Sequence, residues 1–160
     1  MPDIPFLASP NSAAGRHGGQ IMYVILDTTE CSYDDAVKQF QDPKSRLSCN
    51  YLVGLDGRAS QFVKDEDRSF YFVNMSTTSI GIAHEGYNNA DKPWVTPEMW
   101  EKSLSIAADI CKRYSVPVQN IIGHSDRICK MKGCLKDGPG EQFSITKYRL
   151  GVTGLLLANS

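Results

Sequence analysis

The sequence predicts an α/β domain built on a single mixed β-sheet with flanking helices. Three observations carry that expectation. Short apolar runs of buried-strand type recur at residues 21–26, 79–84 and 121–122. An Asp56-Gly57 pair, a strong hairpin signal, separates two strand-like runs over 50–55 and 58–64. A long helical pattern then opens at Thr96-Pro97-Glu98. Strands interleaved with helices in one chain of 160 residues fit a sheet layer with helices packed on it.

Residues 1–20, with Pro2, Pro5, Pro10 and the Gly15, Gly18 and Gly19 cluster, read as an extended lead-in to a domain over 21–150. The first strand stops at Asp27-Thr28-Thr29-Glu30. Ser32 is a candidate cap for a short helix over 34–41, whose Ala36, Val37 and Phe40 share a face, and Pro43 ends it. In the long helix, Thr96 is the cap, Pro97 stands in the first turn and Glu98 is an early acid. Trp100, Leu104, Ala107, Cys111 and Tyr114 recur at helical spacing, Ile106 and Ile110 widen the stripe, and Val116-Pro117 closes it. Ile121-Ile122 runs directly into Gly123-His124-Ser125-Asp126. A loop rich in Lys and Gly follows, a last helix is expected over 144–150, and 151–160 read as a tail.

Composition narrows the function classes. The chain is 41% hydrophobic and 22% charged with net charge −1, which leaves no electrostatic footprint for nucleic acid and no basic membrane-surface patch. The first twenty residues hold no apolar core of signal-peptide length, and Leu155-Leu156-Leu157 is far too short to span a bilayer. The expected location is therefore cytoplasmic, or virion-associated and released without a signal. Cys31, Cys49, Cys111, Cys129 and Cys134 make an odd count. They read as reduced thiols packing as small hydrophobes. The sharper alternative is a disulfide or metal site at Cys129 and Cys134, whose spacing exceeds a Cys-x-x-Cys clip.

Three segments carry a resemblance when taken in order: Val24-Ile25-Leu26-Asp27-Thr28-Thr29-Glu30, Ser79-Ile80-Gly81-Ile82-Ala83-His84-Glu85-Gly86-Tyr87, and Ile121-Ile122-Gly123-His124-Ser125-Asp126 followed by Asp137-Gly138-Pro139-Gly140. Together with Ser9-Pro10-Asn11, Phe40-Gln41-Asp42-Pro43 and the Asp-Gly hairpin, they resemble the N-acetylmuramoyl-L-alanine amidase family, which includes phage amidase lysozymes and peptidoglycan recognition proteins. The resemblance implies a zinc ion held by three protein ligands, with the fourth position left to a water acidified for attack on an amide. A carboxylate or phenol moves the proton and a basic group steadies the oxyanion.

Carried over residue by residue, the resemblance implies His124 and Asp137 as metal ligands, with Cys134 as a weaker candidate. Asp27 stands where the family has its first His, Ala83 where it has a Glu, and Asn50 and Tyr71 where related amidases often show His. Leu135 replaces a usual His or Lys. Asp27 reads two ways: as a carboxylate ligand completing a site with His124 and Asp137, or as an Asx residue bonding the local Thr28-Thr29 turn. An alanine at 83 takes no proton, and Glu85 is displaced by roughly 6.6 Å along the strand. Ala83 also reads as a Glu→Ala change in an otherwise natural chain, although Asp27, Asn50 and Leu135 depart independently. His84 alternates away from Ala83. Lys136, with Lys130 and Lys132, is a candidate for oxyanion or stem-peptide carboxylate binding, against a solvated loop face. Asn50, Tyr71, Asn74 and Trp94 are the substrate-side candidates, with Phe70 and Trp100 as further aromatics for a sugar-stacking rim, against core packing for Trp100.

Three readings of function stay open on these residues. One is an amidase-like domain, catalytically impaired, that keeps a peptidoglycan- or muropeptide-binding role or meets a protein partner. The second is an active zinc-dependent amidase of the endolysin kind. The third is a structural virion or secretion-machine component on the same fold.

Overall fold

The computed structural model describes residues 4–72, 74–87, 93–124, 139–140 and 142–159. The elements run β1 (Ser12–Ala13), β2 (Tyr23–Thr28), α1 (Tyr33–Gln41), β3 (Tyr51–Val53), β4 (Ala59–Gln61), β5 (Arg68–Ser69), β6 (Ser79–His84), α2 (Pro97–Tyr114), β7 (Ile121–Gly123) and α3 (Ile145–Ala158). The main sheet has five strands in the order β4-β3-β6-β2-β7. Strands β3, β6, β2 and β7 are parallel and β4 returns antiparallel at the edge, the mixed sheet expected. Among the described residues no helix is long and apolar enough to cross a membrane.

Each helix starts where its cap chemistry places it. The Ser32 hydroxyl accepts from the Asp35 N–H at 3.2 Å, the Thr96 hydroxyl from Met99 N–H at 3.2 Å and the Ser144 hydroxyl from Lys147 N–H at 3.3 Å. Helix α2 ends at Ser115, whose backbone is left-handed (φ 54°). The expected Asp-Gly hairpin forms with a three-residue loop. Gly54 pairs with Arg58, Gly57 N–H closes the turn on Gly54 O at 3.0 Å, and Gly57 takes the φ of 78° that the position demands.

One expectation is corrected. The last helix does not stop near residue 150 but continues to Ala158, so most of the segment read as a tail is helical. Val152 in that stretch is fully buried against the core shared with α2. The lead-in packs against the domain. Arg16 is buried and donates to the carbonyls of Asp65, Ser76 and Ser79, and the Asn11 side-chain amide donates to Asp42 O and Leu47 O. Main-chain carbonyls left bare by irregular connections are satisfied this way.

The strand period of two divides the core. Val24, Leu26, Ile80, Ile82 and Ile121 face α2 and α3, joining Met99, Ile106, Ile110, Tyr148 and Val152. Ile25, Leu52, Ala83 and Ile122 face the other side, joining Phe40, Phe62 and Phe72. At the rim, Asp65 is a hub. Its Oδ1 accepts from the Tyr51 hydroxyl at 2.9 Å, and its Oδ2 accepts from Arg113 at 2.6 Å and the Tyr114 hydroxyl at 3.2 Å. That carboxylate, buried and multiply bonded, ties the strand edge to the end of α2. Replacing it (Asp65→Ala) removes the acceptor of the Tyr51 hydroxyl and leaves Arg113 with Asp109 as its remaining carboxylate, and is expected to cost about 3 kcal/mol of stability, read from urea unfolding midpoints.

Candidate functional site

Parallel register brings three sequence-distant residues to one end of the sheet. Asp27 on β2 is the Cα partner of Ala83 on β6, and Ala83 in turn pairs with Leu52 on β3. Leu26 pairs with Gly123 on β7, so His124 follows beside Asp27. Alternation puts Asp27, Ala83 and His124 on the face toward Phe72. The resemblance-derived group thus converges as far as these three residues are concerned.

Asp27 is 0% exposed and His124 6%. Asp27 Oδ1 accepts from the Thr28 N–H at 2.8 Å, and its Oδ2 lies 2.7 Å from His124 Nδ1. The Asx-type contact with the local turn and the contact with His124 are both present, one on each oxygen. Phe72 packs edge-on against the His124 ring with centroids 5.2 Å apart, and the Tyr71 ring lies 6.1 Å away. The Tyr71 hydroxyl donates to Thr28 O at 3.0 Å. Burial first, and then the nearby Asp27 carboxylate, push that phenol well above its usual range, so it stays protonated. Beneath Gly81 sits the Cys49 thiol, which burial pushes up to about 12 and so keeps unreactive.

Other candidates are placed differently from the expectation. Asn50 is buried and internally bonded: its amide donates to Val63 O and Lys64 O, both at 3.3 Å, and accepts from Gly81 N–H at 3.1 Å. It holds β6 to the β4 edge and presents no group to a groove. Trp94 is also buried, lying on Gly86 and stacked with Phe143 at 6.2 Å, so it forms core and not a sugar platform. Glu85 turns its carboxylate to the Leu55 N–H at 3.0 Å, at the hairpin, and does not take the place of the missing acid. Asn74 is exposed. Asp137, Lys136, Cys134, Cys129, Lys130, Lys132 and Leu135 lie outside the described residues. Cys49 and Cys111 are free thiols.

Of the donors that the resemblance implies for a zinc ion, Asp27 and His124 are in contact and Asp137 lies outside the described residues. Among the described residues no three His, Cys, Asp or Glu side chains converge. Two donors on a tetrahedral zinc stand about 3.3 Å apart when their bonds are about 2.0 Å long. The 2.7 Å between Asp27 and His124 is instead a hydrogen-bond distance.

One polar chain escaped the sequence reading. His84, fully buried, places Nδ1 3.0 Å from Asp27 O and Nε2 2.7 Å from the Ser103 hydroxyl, which lies 2.6 Å from the Tyr148 hydroxyl. The available signal was Ser103 itself, a polar residue on the apolar stripe of α2 between Trp100 and Leu104.

Comparison with known proteins now fixes the class. In fold, the chain is similar to a selenomethionine derivative of AmpD, with a TM-score of 0.78, 18% identity, and 94% of this chain and 95% of that one covered. It is also similar to the E. coli N-acetylmuramyl-L-alanine amidase AmiD in complex with anhydro-N-acetylmuramic acid-L-Ala-D-gamma-Glu-L-Lys, with a TM-score of 0.72, 21% identity and coverage of 87% and 58%. The fold is therefore that of the amidases. By sequence, the model of the N-acetylmuramoyl-L-alanine amidase family matches residues 17–141, and the chain belongs to that family, which is generally zinc-dependent. N-acetylmuramoyl-L-alanine amidase A of Achromobacter lyticus is 32% identical over 98 residues, 61% of this chain and 55% of that protein. The chain thus spans about half the length of this curated relative.

Burial lowers the His84 pKa to about 4 against an ordinary value of 6.5. The folded state therefore holds the ring neutral while the unfolded chain takes up a proton below 6.5. The associated stability is complete above about pH 6.5 and is lost as pH falls toward 4. By pH 4 this one group removes about 3 kcal/mol. Urea midpoints measured from pH 7.5 to pH 4 are expected to fall accordingly, and a flat profile would contradict a neutral buried His84.

Proposed function

We propose that this chain is a peptidoglycan-recognising member of the amidase family whose hydrolytic step is impaired. One observation carries the reading: Ala83 lies in register between Leu52 and Asp27, on the face that holds His124. Amide hydrolysis needs a group there that takes a proton from the attacking water and delivers one to the leaving nitrogen. A methyl group does neither. Among the described neighbours, Glu85 is engaged at the hairpin, and Tyr71 stays protonated with its hydroxyl on Thr28 O.

The ligand class follows from the family. Muramyl-peptide fragments are what AmiD holds in its complex, and the membership of this chain supports the same class here. Zinc is held weakly or not at all in this reading, because Asp27 and His124 satisfy one another. A protein partner in place of the wall, as in a structural component, is an outcome that the test separates.

The test combines retention on insoluble peptidoglycan, zinc content after purification without chelator, and release of stem peptide. The protein is expected to be retained, to carry less than stoichiometric zinc and to release little peptide. The double variant Asp27→His with Ala83→Glu is expected to gain zinc affinity and to raise release by about 100-fold, the usual contribution of acid–base catalysis. Stoichiometric zinc with brisk release by the unaltered chain would establish an active amidase instead. No retention would remove the wall as its ligand.

A further inference from the structure

We infer that Asp27 is a positioning residue for His124 and not a metal ligand: it holds the imidazole as its Nδ1–H tautomer and makes Nε2 the lone-pair nitrogen of the ring. The inference rests on the placement of this site at the Asp27 position of the family, and not on peptidoglycan recognition.

The argument is one of donors and acceptors. A carboxylate presents only acceptors. Asp27 Oδ1 is taken by the Thr28 N–H at 2.8 Å, and Oδ2 faces His124 Nδ1 at 2.7 Å, so the hydrogen between them belongs to Nδ1. A neutral imidazole with hydrogen on Nδ1 carries its lone pair on Nε2. Any metal, or any N–H or O–H donor of a ligand, meets the ring through that atom. A carboxylate bonded to the far nitrogen raises the basicity of the near one and fixes the ring plane, as it does behind metal-binding histidines generally. Here Phe72, edge-on at 5.2 Å, packs the same ring from the side.

Asp27 is itself poorly placed to swing toward a metal. It is wholly buried, and its backbone carbonyl accepts from His84 Nδ1 at 3.0 Å. Turning the carboxylate away would break two hydrogen bonds inside the protein, those to the Thr28 N–H and to His124 Nδ1. The family position that supplies a ligand elsewhere thus supplies the orientation of another residue in this chain.

Long-range ¹H–¹⁵N NMR on the ¹⁵N-histidine-labelled chain at fixed neutral pH reads the tautomer directly, with His124 assigned by its disappearance in His124→Gln. The expected spectrum has His124 Nδ1 as the protonated nitrogen and Nε2 as the bare one. In Asp27→Ala, checked for native folding by its unchanged His84 signals, the Nδ1–H form is expected to drop from nearly all molecules to a minority. Added zinc is expected to leave the Nδ1–H signal in place. A wild-type ring protonated on Nε2 overturns the inference, and so does a tautomer indifferent to Asp27→Ala. Loss of the Nδ1–H signal on adding zinc overturns it as well, since Asp27 would then have turned to the metal. These readings hold whether or not the protein is retained on peptidoglycan, so failure of one conclusion is distinguishable from failure of the other.

Discussion

Asp27 is the residue around which the end of the sheet is organised. It lies one residue before the end of β2, between β6 and β7, with no exposure to solvent, and a polar group so placed must be bonded. Thr28 N–H and His124 satisfy its two oxygens, and His84 reaches its carbonyl. The demand then propagates. A buried His84 needs a partner at its second nitrogen, which is Ser103, and the Ser103 hydroxyl is shared with Tyr148. One acid at a strand end thereby links both flanking strands to α2 and α3. Burial of His84 belongs to this arrangement, and so does its depressed pKa.

What could be read from the sequence follows the range of the interactions. Strands, caps and the hairpin rest on local chemistry, and Ser32, Thr96, Ser144 and Gly57 all act where the pattern of neighbours puts them. The order of motifs was enough to bring Asp27, Ala83 and His124 together, because parallel strands entering the sheet in register fix which ends meet. The roles of Asn50 and Trp94 were not legible. Both depend on contacts 13 to 48 residues away, through Asn50 to Val63 and Trp94 to Gln142, that no window on the chain contains. The end of α3 was missed for a different reason. Gly151 lies inside the helix and serves close packing that no local pattern shows: a Cβ there would meet Leu104 Cδ1 at 2.8 Å.

Fold and chemistry occupy opposite faces of the same sheet. The larger core lies between the strands and α2 with α3, anchored at its rim by Asp65, Arg113 and Tyr51. The site face holds a smaller aromatic cluster of Phe40, Phe62 and Phe72. Changes at positions 27, 71 and 83 therefore leave most of the buried apolar area untouched, which is how a chain in this family accepts departures at its functional positions without losing the architecture.

The departures also fit one another, and this bears on how they arose. A lone Glu→Ala change at 83 in an otherwise working site would leave the surrounding donors arranged for the missing carboxylate and for an external ligand. The neighbours here are matched among themselves instead. Tyr71 donates to Thr28 O, Asn50 fills three hydrogen bonds inside the sheet edge, and Asp27 is closed by Thr28 and His124. Each of these residues differs from the histidine that the family resemblance leads one to expect, and each difference is accommodated by a partner already in the chain. The described side chains at this end of the sheet are thus bonded to one another, with the Asp27–His124 contact at their centre.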